Sequence, residues 1–131
     1  MARKIYYKVV CKNTLKSFDG SMQYAKDRWV VPKLAGSKLA VFASLNAAKQ
    51  YVRHDSESIY ECYVKAPINP YQYRAVVYSG YYNDIQKYWE IVAKAQKAKK
   101  NISKALKQAG FYREWPSDTV LCNSVMLLKS V

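Results

Sequence analysis

Residues able to perform acid–base or nucleophilic chemistry are few in this chain. His54 is the only histidine, whereas a Ser/His/Asp or Cys/His hydrolase needs a base beside its nucleophile. It lies between Arg53 and Asp55, at the polar end of a predicted helix, where a cationic side chain interacts favourably with the helix dipole. We therefore interpret His54 as a solvated residue and predict that the protein has no catalytic residues and is not an enzyme.

Motifs for metals and cofactors do not stand out either. Cys11, Cys62 and Cys122 are far apart and form no CxxC pair, so a structural zinc is not expected. The four glycines are scattered and form neither a P-loop nor a dinucleotide fingerprint. Asp55 and Glu57, two residues apart in a predicted loop, are typical of solubilising residues. The sequence predicts no metal site and no cofactor.

The charge is more informative than the motifs. The chain contains 22 Lys and Arg residues against 9 Asp and Glu, which gives a formal net charge of +13. Such an excess repels itself and attracts polyanions. We therefore predict that nucleic acid, either DNA or RNA, is the partner. The alternatives are an acidic protein, an anionic membrane, or lysines that serve solubility alone.

One lysine-rich segment carries much of this charge. Between positions 87 and 107 there are seven lysines and one acid, Glu90, although a surface helix usually intersperses acids that pair with lysines at i,i+4. Lys97, Lys100, Lys104 and Lys107 follow each other at intervals of three and four residues. On one continuous helix they would form a ridge able to follow a phosphate backbone. The predicted nucleic-acid-binding residues are Lys94, Lys97, Lys100, Lys104, Lys107 and Arg113, with help from Arg3 and Lys4. A merely solvated lysine face is the alternative.

Tyrosines beside basic residues add a second, weaker pattern. They occur at 6–8, 71–74 and 78–82, and exposed tyrosines of this kind can stack on bases of a single strand. The same residues are common in sheets. At any single tyrosine we favour packing in the core over base stacking.

The elements of the first half follow from periodicity and turn residues. Residues 5–10 alternate with the period of a strand, and a short extended piece at 15–18 between turn clusters predicts a hairpin or meander. The β-prone run at 29–32 ends in Pro32, which favours a sheet edge. Residues 39–42 predict a buried strand, and Ser44 predicts the N-cap of a helix over about 45–54.

The second half predicts a strand at 59–65 and another extended segment at 73–78. Residues of about 83–109 predict one long basic helix or a helix pair, in which Asn101 would cap the second helix and Gly110 would end it. Residues 119–122 and 125–129 predict one bulged strand or a tight hairpin. The order indicates an α+β fold, with helices against a mostly antiparallel sheet.

Size and composition set the organisation. A chain of 131 residues that is 50% hydrophobic and contains 13 tyrosines predicts a folded single domain over residues 1–131. Its apolar stretches fall short of the roughly 18 residues of a membrane span, so we expect no membrane association. The cysteines are few and their number is odd, which favours a reducing compartment over a disulfide-bonded secreted protein. The expected location is the cytoplasm.

Several segments together carry a resemblance to known proteins. They are the opening Tyr-Lys-Val-Val, the unit from Leu39 to Ala48, the strand at 59–65 and the closing segment at 119–125. This combination resembles a family of small accessory proteins of tailed bacteriophages. The resemblance implies a viral protein acting in the host cytoplasm, including one that docks on a host defence protein and inhibits it.

The order of strand, Phe-x-Ser, helix and strand is also similar to ADP-ribosyltransferase-like folds. That resemblance implies a transferase that uses a nicotinamide dinucleotide. The chain departs from the pattern, because Ala43-Ser44 does not match a Ser-Thr-Ser strand and Asp55-Ser-Glu57 precedes the strand at 59. The transferase is therefore a third alternative.

Overall fold

A computed structural model describes residues 3–17, 22–33, 37–52, 55–69, 82–109, 111 and 118–131. The described residues form six strands and three helices in an α+β fold, as predicted. The strands are β1 (Tyr6–Cys11), β2 (Trp29–Val30), β3 (Leu39–Phe42), β4 (Glu57–Lys65), β5 (Thr119–Cys122) and β6 (Ser124–Ser130). The helices are α1 (Leu45–Tyr51), α2 (Tyr82–Lys97) and α3 (Ile102–Gln108).

The strands form one antiparallel sheet in the order β2-β6-β4-β1-β3-β5. Strand β2 lies at its edge, which confirms the position predicted from Pro32. The piece predicted at 15–18 pairs antiparallel with the chain at 22–24, as a hairpin requires: Lys16 and Gln23 form a bridge, and the N–H groups of Ser17 and Tyr24 donate to the carbonyls of Met22 and Leu15 at 2.9 and 3.0 Å. Residues 18–21 lie outside the described residues. The segment predicted at 73–78 lies outside the described residues.

The pairing of the sheet closes into a ring. After β4 the chain turns at Ala66, whose φ is 53°, and Ile68 then exchanges backbone hydrogen bonds of 2.8 and 3.0 Å with Leu121 of β5. Since β5 also pairs with β3, hydrogen bonds run from β4 through β1, β3 and β5 back to the continuation of β4. The inner face of the sheet carries the main buried cluster, to which Val125 and Leu127 of β6 also belong.

The C-terminal segment contributes to both ends of the sheet. Strand β5 pairs with β3, whereas β6 pairs with β4 and β2. The two strands do not pair with each other, so the predicted tight hairpin is wrong. Asn123 separates them, and its N–H donates to the carbonyl of Lys65 at 2.9 Å. The extended chain interrupted at Asn123 corresponds to the bulged-strand alternative.

Alternation along the strands builds the inner core. Tyr6 and Val10 of β1 point inward, together with Cys62 of β4 and Cys122 of β5. Lys8 shares their side of β1, and its Nζ donates to the carbonyl of Ala40 at 2.7 Å and lies 5.0 Å from the centroid of the Tyr24 ring. The cation is thus accommodated by a carbonyl and an aromatic face.

Helix α1 covers part of the outer face of β1 and β3. The hydroxyl of Ser44 accepts from the N–H of Ala47 at 3.2 Å, which confirms the predicted N-cap, and buried Ala48 packs in a cluster with Val9 and Phe42. The helix ends at Tyr51, earlier than predicted, because the next residue is extended with ψ 128°. His54 lies outside the described residues.

The basic segment forms two helices. Lys99 has a φ of 55°, and the N–H groups of Lys99 and Lys100 donate to the carbonyls of Gln96 and Ala95 at 3.1 and 2.9 Å. This is a Schellman arrangement, which satisfies the last carbonyls of a helix. Asn101 then caps α3 by accepting from the Lys104 N–H at 2.8 Å, as predicted for a helix pair. Helix α3 ends before Ala109, and Gly110 lies outside the described residues.

Candidate nucleic-acid interface

The predicted binding lysines lie on the solvent side of the helix pair. Helix α2 buries Tyr88, Val92 and Ala95, and α3 buries Leu106 in the same cluster as Tyr88 and Val92. Lys87 is exposed on α2, and six further exposed lysines lie between positions 94 and 107: Lys94, Lys97, Lys99, Lys100, Lys104 and Lys107. We call these six residues the lysine surface. Arg113 lies outside the described residues.

The lysine surface differs from the predicted ridge. A ridge on one continuous helix is wrong, because the chain turns at Lys99 between the two helices. Lys97 ends α2, Lys100 lies in the connection, and Lys104 and Lys107 belong to α3. The cations are therefore carried by two helices and by the turn between them, in place of a single row.

Acidic partners are scarce at this surface. Within the described segments none of the six lysines forms a salt bridge. Glu90 is exposed and precedes Lys94 by four residues on α2, a spacing at which Glu and Lys interact favourably. The lysines in the last helical turns, Lys94, Lys97 and Lys107, also stabilise the helix ends through the dipole. The surface keeps a strong positive charge.

A second cationic surface lies on the sheet, and of its residues only Arg3 was among the predicted binding residues. The Arg3 guanidinium carbon lies 5.6 Å from the Trp29 ring centroid and 5.4 Å from that of Tyr63. The Lys65 ammonium lies 4.4 Å from the Trp29 ring centroid. We call Arg3, Trp29, Tyr63 and Lys65 the aromatic surface. The sequence shows these residue types, but only the strand register brings them together.

The inner thiols are poor nucleophiles. Burial raises the pKa of Cys62 from 9.0 to about 12 and that of Cys122 to about 11, although the nearby charge of Lys8 acts in the opposite direction. A thiol attacks as its thiolate, so both groups stay protonated and inert near neutral pH. All three cysteines, including Cys11, are free.

A cavity of about 50 Å³ lies between β1, β3 and α1 and has room for about one or two water molecules. Neither Asp55 nor Glu57 of the predicted transferase pattern lines it. The predicted loop position of Glu57 is wrong, because Glu57 begins β4 and is buried. Among the described residues no cluster of three metal-ligating side chains occurs, and none of the described helices could span a membrane.

Comparison with known proteins adds no relative. No family model, curated protein or solved structure matches the chain. The resemblances to phage accessory proteins and to ADP-ribosyltransferase-like folds therefore remain predictions. The function has to be argued from the two cationic surfaces.

Proposed function

We propose that the protein is a non-enzymatic nucleic-acid-binding protein that holds backbone phosphates with its lysine surface. One observation carries the proposal: six exposed lysines lie on α2, on α3 and in the turn between them, and none forms a salt bridge within the described residues. Clustered like charges repel each other, and phosphates relieve this repulsion while releasing counterions.

The chemistry of lysine favours binding without sequence preference. Its ammonium is a compact charge on a flexible stem, whereas bidentate reading of a base is typical of arginine. Contacts to phosphates fix the position of a nucleic acid but carry no direct sequence information. Lys97, Lys100, Lys104 and Lys107 would therefore bind unrelated DNA or RNA sequences with similar affinity.

The cellular setting belongs to the same proposal. Three free cysteines, two of them buried, agree with a reducing cytoplasm. In a virus-infected cell, a protein of this kind would act as an accessory factor on nucleic acid. Docking on an acidic host protein is the competing function, since the same charges would serve it.

The test is a charge-matched pair of variants. Replacing Lys97, Lys100, Lys104 and Lys107 with glutamine keeps good helix propensity and should weaken binding to a labelled 20-mer at least about 100-fold at about 50 mM salt. The control replaces exposed lysines elsewhere, Lys12, Lys16, Lys33 and Lys49, and loses the same charge. We expect it to weaken binding less than about threefold, because distant charges are screened.

Two results would contradict the proposal. Equal losses in both variants would mean that net charge acts without a defined surface. A wild-type protein that does not bind DNA or RNA at about 50 mM salt, where the Debye length is about 13 Å, would favour the acidic host protein. Circular dichroism of both variants checks that each retains the wild-type fold.

A further inference from the structure

The outer face of β2, β6 and β4 carries a row of large side chains. Trp29 pairs with Met126, and Met126 pairs with Tyr63. Residues directly opposite on neighbouring strands point to the same face. Strands lie about 4.8 Å apart, so the backbones at Trp29 and Tyr63 are separated by about 10 Å. The two aromatic rings flank Met126 on one sheet surface.

The residues next to this row along each strand point inward, so the row itself lies on the outer face of the sheet. Val30, Val64 and Leu127 belong to or pack against the inner core, and each is adjacent to one member of the row. Trp29, Tyr63 and Met126 are only half-buried. The chief contacts of the described helices with the sheet are on the other side of the ring, where α1 packs against β1 and β3.

Charge at this face favours an anion. Arg3 and Lys65 are exposed and lie over the rings of Trp29 and Tyr63. The acid on the outer side of β4, Glu61, is 3.9 Å from the ammonium of Lys129. Exposed Asp27 lies in the chain between the exposed cations Lys26 and Arg28. The face therefore combines aromatic rings with a net positive charge.

We propose that the aromatic surface stacks unpaired bases, so that the partner is a single-stranded nucleic acid. This inference rests on the proposed function and names the class of its partner. Aromatic side chains on a sheet stack successive bases of single strands, whereas a duplex keeps its bases inside. A base that replaces a cation over the Trp29 ring leaves Arg3 or Lys65 available for the adjoining phosphate.

The experiment compares two strands of the same length. One is a 12-mer DNA with bases and the other is an abasic 12-mer with the same phosphates. Stacking adds about 5- to 150-fold in affinity for each base, so wild type should prefer the strand with bases by at least about fivefold. Trp29→Ala with Tyr63→Ala should abolish that preference, whereas Trp29→Phe with Tyr63→Phe should largely retain it.

The outcomes separate the two proposals. Equal binding of both strands by wild type would overturn base stacking and leave phosphate binding intact. A preference that persists in a folded alanine variant would also overturn it. If neither strand binds, both proposals fail. The glutamine variant of the lysine surface should lose affinity for both strands and keep their ratio.

A measurement without variants covers the case in which the alanine protein does not fold. A strand that contains 5-bromouracil is irradiated with the wild-type protein, and the adducts are mapped by mass spectrometry. We expect adducts at Trp29 or Tyr63. Adducts confined to peptides of 82–109 would overturn the assignment of bases to the aromatic surface.

Discussion

The two cationic surfaces differ in how their charges are held. The six ammonium groups of the lysine surface lie on α2, on α3 and in the turn between them, and none has a salt bridge within the described residues. On the aromatic surface Arg3 and Lys65 lie 4.4 to 5.6 Å from ring centroids. Positive charge alone therefore does not define a site. In our two proposals, the groups around each cation determine what it binds: phosphates alone at the lysine surface, and phosphates next to stacked bases at the aromatic surface.

The surfaces also depend on different supports. Helices α2 and α3 hold the lysine surface, and they pack on the outer face of β3 and β5 through one apolar cluster. The aromatic surface lies directly on β2, β6 and β4. Changes in the helix pair should therefore affect phosphate binding and leave the aromatic surface in place.

The largest effect is expected at the apolar support of α3. Leu106 is fully buried, so Leu106→Ala should lower the free energy of unfolding by about 2–5 kcal/mol. The adjacent exposed change Lys107→Ala should alter it by less than about 0.5 kcal/mol. Urea denaturation measures both. A loss below about 1 kcal/mol for Leu106→Ala would mean that α3 does not depend on this contact.

The inner core provides the next test, because two of its buried residues are thiols. At pH 8 a thiol reagent should modify Cys62 and Cys122 at least about tenfold more slowly than the half-buried Cys11, since little thiolate forms at the raised pKa values. After denaturation without reductant three thiols should react. Equal rates in the native protein would show that the ring opens readily.

Burial of the same two thiols should make the free energy of unfolding depend on pH. Their pKa values are raised in the folded state, from 9.0 to about 12 for Cys62 and to about 11 for Cys122. The unfolded chain therefore loses these protons first, so stability is retained below pH 9 and falls as pH rises toward 12. Replacing Cys62 with alanine should reduce this alkaline loss.

A smaller effect is expected at the cap of α3. Asn101→Ala removes the 2.8 Å acceptor of the Lys104 N–H and should cost about 0.5–2 kcal/mol of stability. Asn101→Ser keeps a capping oxygen and should cost less. Thermal unfolding compares the two proteins. Indistinguishable midpoints would indicate that the cap does not stabilise α3.

The smallest effect concerns the turn between the helices. Lys99 adopts a left-handed conformation with φ 55°, which glycine adopts without strain, so Lys99→Gly should stabilise the protein by about 0.5–1 kcal/mol. Lys94→Gly removes the same charge within α2, where the Lys94 carbonyl accepts from the Ala98 N–H, and should destabilise the protein by about 0.5–1 kcal/mol. Changes of the same sign, measured by urea denaturation, would contradict this description of the turn.

Local sequence signals predicted much of the fold. Alternation identified β1 and β4, and Ser44 and Asn101 were recognised as helix caps because a cap needs only a side-chain oxygen near the first turn. The break at Lys99 was left open, since a non-glycine residue at positive φ has a weak sequence signal. Pairing between β5 and β3 joins residues about 80 positions apart, and local patterns cannot predict such contacts.

The candidate sites, like the fold, could be predicted from the sequence only where the signal is local. The apolar positions 89, 92, 102 and 106 have helical spacing and are buried or half-buried, whereas the lysines are exposed. The aromatic surface was missed, because Trp29, Tyr63 and Arg3 come from three distant segments. Only the shared register with Met126 places the two rings in one row.

The salt dependence of binding tests the central claim most directly. Affinity of the wild-type protein for a labelled single strand is measured from about 50 to 200 mM salt. If about four lysines contact phosphates, log affinity should fall with log salt at a slope of about −3 to −4, and the change of Lys97, Lys100, Lys104 and Lys107 to glutamine should flatten it. The phenylalanine variants of Trp29 and Tyr63 should keep the wild-type slope. A slope unchanged by the four glutamines, or no binding at about 50 mM salt, would contradict phosphate recognition by the lysine surface.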